Sequence, residues 1–286
     1  MVFSVRTDMA AEAQRLWQNS ADKTSRLSGV AAREDTLFGF PFSSVEILDI
    51  DGSKALGKPI GRYYTLEMER FFPRGDERFP NAARAIAEMI RRSVDMRTFQ
   101  SVLIAALGNE EITPDALGPQ TARYILITRH LKEQGNDLFS TMRSTALCRP
   151  GVLGTSGIES AAQIQSLCER LRPDCVIAID ALAGCDVSRL CRTIQVSGSG
   201  IAPGSGVGND RASLNRESLG VPVIAIGVPT VIDAAFFSDD ERLKGLFVTP
   251  RSIHETVHCA GKLIAYGVNL ALHDGLTVAD VDTLVG

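Results

Sequence analysis

This sequence has no apolar run long enough to span a bilayer, and its first residues do not form a charged-then-apolar signal segment. It also has no basic excess, because 30 lysines and arginines are outweighed by 34 aspartates and glutamates, for a net charge of -4 at pH 7. This balance disfavours nucleic acid as a direct partner. The six cysteines include no C-x-x-C pair, which is typical of reduced thiols rather than of a disulfide framework. We therefore expect a cytoplasmic protein that binds neither membrane nor nucleic acid.

The pattern of apolar residues predicts the fold class. Short, continuous apolar runs occur at 101–108, 175–182 and 221–229, and such runs are typical of strands that are covered on both faces. Helical patterns lie between them, at 115–134 and 158–172. This alternation predicts an α/β fold with a mostly parallel sheet sandwiched by helices. No repeat or linker divides the chain, so we expect a single domain over residues 1–286.

The first hundred residues predict two helices and a hairpin. A helix is expected after Thr7, with Asp8 and Glu12 near its positive end. Residues 44–69 contain two extended segments with a turn expected at Asp51-Gly52, and this hairpin would extend one edge of the sheet or cover one end. A second helix is expected over 79–94, with an apolar stripe of Ala85, Ile86, Met89 and Ile90.

Two aspartates lie where parallel strands end, which is where open α/β sheets bind ligands. Asp180 ends the apolar run "CVIAID", and an unpaired carboxylate buried there would cost several kcal/mol. Asp115 follows the strand at 101–108 and begins the next helix, with Thr113 as the expected cap and Pro114 at the first position. If these strands are neighbours, both carboxylates face one cleft. Asp233, in "TVIDA", is a weaker candidate and fits a cap or turn residue better.

Near the end of the chain, "HETVH" (254–258) matches the H-E-x-x-H pattern of zinc proteases. On a helix, His254 and His258 would share a face, and Glu255 would serve as base. A catalytic zinc needs a third protein ligand, however, and Ile264 stands where the longer pattern requires a histidine. We expect a polar helix face there, and we keep a zinc metallopeptidase as an alternative.

A glycine-dense stretch, "GSGIAPGSGVGN" (198–209), does not fit a nucleotide fingerprint, because it is not a tight turn between a strand and a helix. It fits a flexible loop or a flap that contacts substrate, since glycines allow a peptide backbone to approach closely. The candidate substrate-binding residues in it are Gly204, Ser205, Gly206 and Asn209.

Four motifs in this order carry a resemblance to a known family. They are "GNEEITPDALGP" (108–119), "AIDALA" (178–183), "GIAPGSGVGN" (200–209) and "PVIAIGVPTVIDA" (222–234), and "SVRTDMAAEA" (4–13) precedes them. Together they resemble the germination proteases of spore-forming bacteria. The resemblance implies an α/β fold similar to that of hydrogenase maturation peptidases, and an endopeptidase that degrades small acid-soluble spore proteins in the spore core.

The same resemblance implies the site and the assembly. The two proposed catalytic aspartates of the family correspond here to Asp115 and Asp180. The family is thought to be tetrameric, and neither the motifs nor the resemblance implies a cofactor. Family zymogens carry a pro-segment before the "SVRTD" motif, whereas only Met1, Val2 and Phe3 precede Ser4 here. We therefore expect control by conformation or by hydration of the spore core rather than by removal of a long pro-segment.

The local sequences suggest different roles for the two carboxyl groups. Asp115, near a helix amino end, is expected to be ionised and to act as the base, whereas Asp180, among apolar neighbours, is expected to be the acid. The alternative from another class is a non-catalytic α/β module whose strand-end carboxylates hold a metal.

Overall fold

The structure, a computed structural model, describes residues 7–20, 27–204, 212–238 and 240–285. In this part of the chain the strands are β1 Val30–Leu37, β2 Phe40–Ile47, β3 Gly61–Glu67, β4 Ser101–Ala106, β5 Ser144–Cys148, β6 Cys175–Gly184, β7 Thr193–Ser197, β8 Val223–Asp233 and β9 Phe247–Val248. The helices are α1 Ala10–Ser20, α2 Ile50–Leu56, α3 Phe79–Ser93, α4 Leu117–Ala122, α5 Arg129–Glu133, α6 Leu153–Ser156, α7 Ser160–Leu171, α8 Arg216–Leu219, α9 Ile253–Leu272 and α10 Val278–Val285.

All nine strands belong to one sheet, in the order β1-β2-β3-β7-β8-β6-β4-β5, with β9 paired to β8. Strands β5, β4, β6 and β8, from one edge of the sheet to its centre, are parallel to one another. Strands β7, β3, β2 and β1 continue the sheet in antiparallel fashion. The predicted α/β class is confirmed, with parallel pairing confined to the first four of these strands. No helix among the described residues is both long enough and apolar enough to cross a membrane.

Strand β6 shows why its sequence is a continuous apolar run. Ile177 and Ile179 face a core formed with α3 and α9, whereas Val176 and Ala178 face a second core formed with α7. Because alternate residues of a strand point to opposite faces, a strand with helices on both sides needs apolar residues at every position. Each fully buried isoleucine stabilises the fold by about 1.5–3 kcal/mol. Asp180 is the polar residue that directly follows this apolar run within the strand.

The connection between the antiparallel strands β2 and β3 differs from the predicted one. β2 and β3 are antiparallel neighbours, but the predicted turn at Asp51-Gly52 is wrong because α2 occupies that position. Asp49 caps this helix, and its carboxylate accepts hydrogen bonds from the N–H groups of Asp51 (3.0 Å) and Gly52 (2.9 Å). A tight hairpin does form one connection earlier, between β1 and β2. The prediction that this region extends one edge of the sheet is confirmed.

The single helix predicted over 115–134 is also wrong, because it is broken between α4 and α5. Asn269, a fully buried residue of α9, donates its amide to the carbonyl of Tyr124 (2.8 Å) and accepts from the N–H of Leu126 (2.9 Å). These tertiary hydrogen bonds satisfy backbone groups that a continuous helix would pair internally. A long-range side chain therefore decides the local structure.

Replacing Asn269 tests this account of the break. Asn269→Leu keeps the volume but leaves a buried carbonyl and a buried N–H without partners. We expect the free energy of unfolding in urea to fall by about 2–4 kcal/mol. Asn81→Leu, at an exposed position of α3, is the control and should change it by less than about 0.5 kcal/mol. An equally small change for Asn269→Leu would show that the two hydrogen bonds do not hold this segment.

Candidate active site

The register of two neighbouring parallel strands brings the predicted aspartates together. β4 pairs with β6 so that Ala106 lies opposite Ile179, and the N–H of Leu107 donates to the carbonyl of Ile179 (2.8 Å). Asp180 is therefore next to the point where the chain leaves β4 for the loop that carries Asp115. The condition set by the sequence, that the two strands be neighbours, is met.

Asp115 is held by the backbone of its own loop. It ends a 3-10 turn at Thr113–Asp115, just before α4, and Thr113 does not act as the predicted side-chain cap. The Asp115 carboxylate accepts from the N–H of Asn109 at Oδ2 (2.9 Å), and its own N–H donates to the carbonyl of Ile112 (2.8 Å). This loop conformation requires glycine at position 108. The φ of Gly108 is 107°, and a Cβ there would lie 1.9 Å from the carbonyl oxygen of Asp115.

Asp180 lies within β6 rather than at its end, because the strand continues to Gly184. The residue is only 4% exposed, and its Oδ1 accepts from the N–H of Ala181 (3.0 Å). Its neighbours along the strand are apolar, as the sequence indicated. Asp180 is thus much more deeply enclosed than Asp115, which is half-buried.

Both side chains line one cavity of about 410 Å³ at the carboxyl ends of the parallel strands. The wall is mainly apolar and is contributed by the β4–α4 loop, the β5–α6 loop, β6, β8 and β9. The lining includes Asp8, Ile112, Asp115, Val152, Asp180, Gly204, Thr230, Phe247 and Thr249.

A third carboxylate, that of Asp8, lines this cavity and is not predicted by the sequence. Asp8 pairs with β6, since its N–H donates to the carbonyl of Ala183 (2.9 Å) and its Oδ2 accepts from the N–H of Ala183 (2.9 Å). Its neighbour Glu12 is buried and accepts from the N–H of Cys185 (2.7 Å). The sequence indicated only favourable charges at a helix start, because a contact across more than 170 residues has no local signal.

Thr230 is the other missed residue, and it had a readable signal, because it is a polar residue directly after the apolar run at 221–229. It lies at a register shift between β6 and β8 and is 1% exposed.

A second, smaller cavity of about 220 Å³ adjoins the first and shares Asp8 and Leu182 with it. This cavity contains Lys58. Burial lowers the pKa of its amino group, and the negative charges of Asp8 and Glu12 offset only part of that shift.

The remaining predicted residues fall into three groups. Gly204 lines the cavity, whereas Ser205, Gly206 and Asn209 lie outside the described residues. Asp233 is confirmed as a cap, because its Oδ1 accepts from the N–H of Ala235 (2.9 Å).

The HETVH residues lie on α9, which begins at Ile253, so the expected helix is confirmed. His254, Glu255 and His258 are exposed, and none of them lines the cavity. The ring of His258 packs edge-on near Tyr124, with 6.2 Å between centroids. Within the described ranges, no group of three or more His, Cys, Asp or Glu side chains is arranged to hold a metal ion.

Comparison with known proteins gives a consistent result. The sequence profile of the germination proteases matches residues 6–242. The germination protease of Caldanaerobacter subterraneus subsp. tengcongensis is 38% identical, over 100% of this chain and 99% of its own. That of Clostridium perfringens is 34% identical, over 98% of this chain and 99% of its own. That of Bacillus mycoides is 42% identical, over 83% of this chain and 66% of its own.

A solved structure also aligns with part of the chain. The nickel–iron hydrogenase maturation protease HycI from Thermococcus kodakarensis matches 60% of this chain and 95% of its own, with 20% sequence identity and a TM-score of 0.35. A likeness of this degree supports no conclusion about the site.

Proposed function

Because the chain belongs to the germination protease family, and is therefore a peptidase, we propose that it is an endopeptidase that hydrolyses peptide bonds with Asp115 and Asp180. The observation that carries this proposal is the single cavity lined by both carboxyl groups, at the ends of two adjacent parallel strands. Two carboxyl groups at one site can share a proton, so that one is ionised while the other is protonated. This is the arrangement that amide hydrolysis by water requires.

The surroundings of each group suggest its role. Asp115 is half-buried, and its greater contact with solvent stabilises a negative charge better than the interior around Asp180 does, so it acts as the general base. Asp180 is almost completely enclosed by apolar strand residues, which favours the neutral carboxylic acid, so it acts as the general acid. The two groups titrate as a coupled pair rather than independently.

The proposed reaction proceeds in two proton transfers. Asp115 removes a proton from a water molecule as the water oxygen attacks the carbonyl carbon, and the carbonyl π electrons move to oxygen. The tetrahedral intermediate then collapses, the carbon–nitrogen bond breaks, and Asp180 donates its proton to the leaving nitrogen. Both steps use groups that already line the cavity.

The family membership also suggests the substrate, the setting and the assembly. We propose that the substrates are small acid-soluble spore proteins, cleaved at germination in the spore core, and that the chain forms a homotetramer. Incubation of the purified protein with one such substrate, followed by mass spectrometry, should reveal one or a few internal cuts. Light scattering should give the mass of four chains. An intact substrate after prolonged incubation would contradict the proposed activity.

The zinc alternative is tested by removing its ligands. Because the proposed reaction uses no metal, we expect a His254→Ala/His258→Ala variant to cleave the same substrate at a rate within about twofold of the parent. Excess chelator should likewise leave the rate unchanged. Stoichiometric zinc in the purified protein together with activity lost in chelator would instead support a metallopeptidase, and retained metal without any cleavage would support a metal-binding module.

A further inference from the structure

The segment between β8 and α9, residues 234–249, exposes an unusual concentration of large apolar side chains. We call this segment the apolar arm. Five of its apolar side chains are exposed, from 37% for Phe247 to 56% for Phe237. Large apolar side chains that are exposed in one short segment next to a site make that segment a candidate interaction surface. The five residues are Phe236, Phe237, Leu246, Phe247 and Val248.

Four of the five charged residues of the apolar arm form two local ion pairs. Asp240 and Arg242 form an ion pair with 2.6 Å between Oδ2 and Nη2, and Glu241 and Lys244 form another with 2.6 Å between Oε2 and Nζ. The arm has three acidic and two basic residues, for a net charge of -1. Since most of its charge is balanced locally, its exposed apolar side chains are its main feature, and they fit an apolar partner.

The apolar arm is continuous with the candidate active site. Phe247 and Thr249 line the cavity that contains Asp115 and Asp180. Other segments of the cavity wall also expose apolar side chains, since Ile112 lines the cavity and is 53% exposed, and Leu153 is 42% exposed beside the lining residue Val152. Apolar surface near the cavity is therefore not confined to the arm.

The backbone of β9 offers a place for such a chain to pair. β9 is hydrogen-bonded to the end of β8, with Val248 opposite Ile232 and Phe247 opposite Asp233. Within the described ranges, no other strand pairs with β9. A free strand edge is the kind of surface to which an extended polypeptide adds as a further strand.

From these observations we propose that the apolar arm is a docking surface for the polypeptide substrate. An extended segment of the substrate pairs with the free edge of β9 and packs apolar side chains on Phe237 and Leu246, so that the adjoining residues enter the cavity. This inference rests on the proposed function, because it assigns the arm to the same substrate. It predicts that long substrates bind better than short peptides that fill only the cavity.

A binding measurement tests the docking surface separately from catalysis. The probe is a fluorescently labelled small acid-soluble spore protein, and the parent protein carries Asp180→Asn so that the probe is not consumed. Phe237→Ser/Leu246→Ser removes two arm side chains that do not line the cavity. The matched control is Ile60→Ser/Leu138→Ser, at positions that are 52% and 68% exposed elsewhere on the surface.

We expect the arm variant to raise the Kd for the probe about tenfold, which corresponds to about 1.4 kcal/mol. The control should change it by less than about twofold, and a labelled peptide that spans only the cut should bind both variants equally. Equal affinity of the arm variant and its parent for the long probe would overturn the proposal. So would a smaller assembly mass of the arm variant, because the arm would then be a contact between copies of the chain.

The outcome also separates this inference from the proposed function. If Asp180→Asn still cleaves the probe, the catalytic assignment fails, while the affinity comparison on a non-cleavable version of the probe still reports on the arm. If Asp180→Asn is inactive and the arm variant binds normally, only the docking surface is refuted.

Discussion

Asp115→Asn and Asp180→Asn are each expected to lower kcat for a spore-protein substrate by at least about 10³-fold, because each removes one of two proton-transfer groups. Asparagine keeps the shape of the side chain. Its Oδ1 can still accept from the N–H of Asn109 at position 115, and from the N–H of Ala181 at position 180. The thermal unfolding midpoints should therefore stay close to that of the parent, so the loss would reflect chemistry rather than unfolding.

The double variant is a further test of the same claim. If Asp115 and Asp180 act as one unit, removing both should cost no more than removing the more important one. Asp233→Asn is the matched control, because Asp233 is also a carboxylate at the end of a central strand but serves as a cap outside the cavity. It should keep kcat within about twofold, since asparagine caps as well as aspartate. Near-normal cleavage by either single variant would remove the pair from the mechanism.

The second large effect is expected at Gly108, which positions Asp115 without touching the reaction. A Cβ at this residue would lie 1.9 Å from the carbonyl oxygen of Asp115, and a φ of 107° is one that alanine adopts poorly. Gly108→Ala must therefore displace the loop that holds the carboxylate. A displacement of about 1 Å lowers the rate roughly 10²-fold. We expect at least that loss in kcat, together with reduced stability.

Gly135→Ala is the control for backbone strain alone. Gly135 also has a positive φ, of 73°, but nothing lies within 4 Å of the Cβ position. It should lower stability by about 1–2 kcal/mol and leave kcat unchanged. Comparing kcat and urea unfolding for the two variants separates strain from displacement. A Gly108→Ala enzyme with normal kcat would show that the reaction tolerates a misplaced Asp115.

The central sheet and the two aspartates could be predicted because their signals are local. A continuous apolar run implies a strand covered on both faces, and a carboxylate beside such a run, as at Asp180, has few structural explanations. Asp115 was identified by the same rule and by the family motif. In the structure, the register of β4 and β6 places both aspartates in the wall of one cavity.

The features that the sequence did not predict depend on distant contacts. Asn269 breaks the helix over 115–134 by bonding to backbone groups more than 140 residues away, and Asp8 reaches the cavity by pairing with Ala183. The position of β7 between β3 and β8 in the sheet also depends on contacts between distant parts of the chain. None of these contacts leaves a periodic pattern, because each depends on how complete elements pack. Thr230 was overlooked although its position after an apolar run resembles that of Asp180.

The dependence of kcat/KM on pH tests the central claim most directly, because kcat/KM reports the ionisation of the free enzyme. If Asp115 must be ionised while Asp180 is protonated, the parent protein should give a bell-shaped profile, with activity lost on both the acid and the alkaline side. The trace activity of either asparagine variant should lack that bell. A parent profile that rises to a plateau with no alkaline decline, or a bell that persists in Asp115→Asn and Asp180→Asn, would contradict a shared proton.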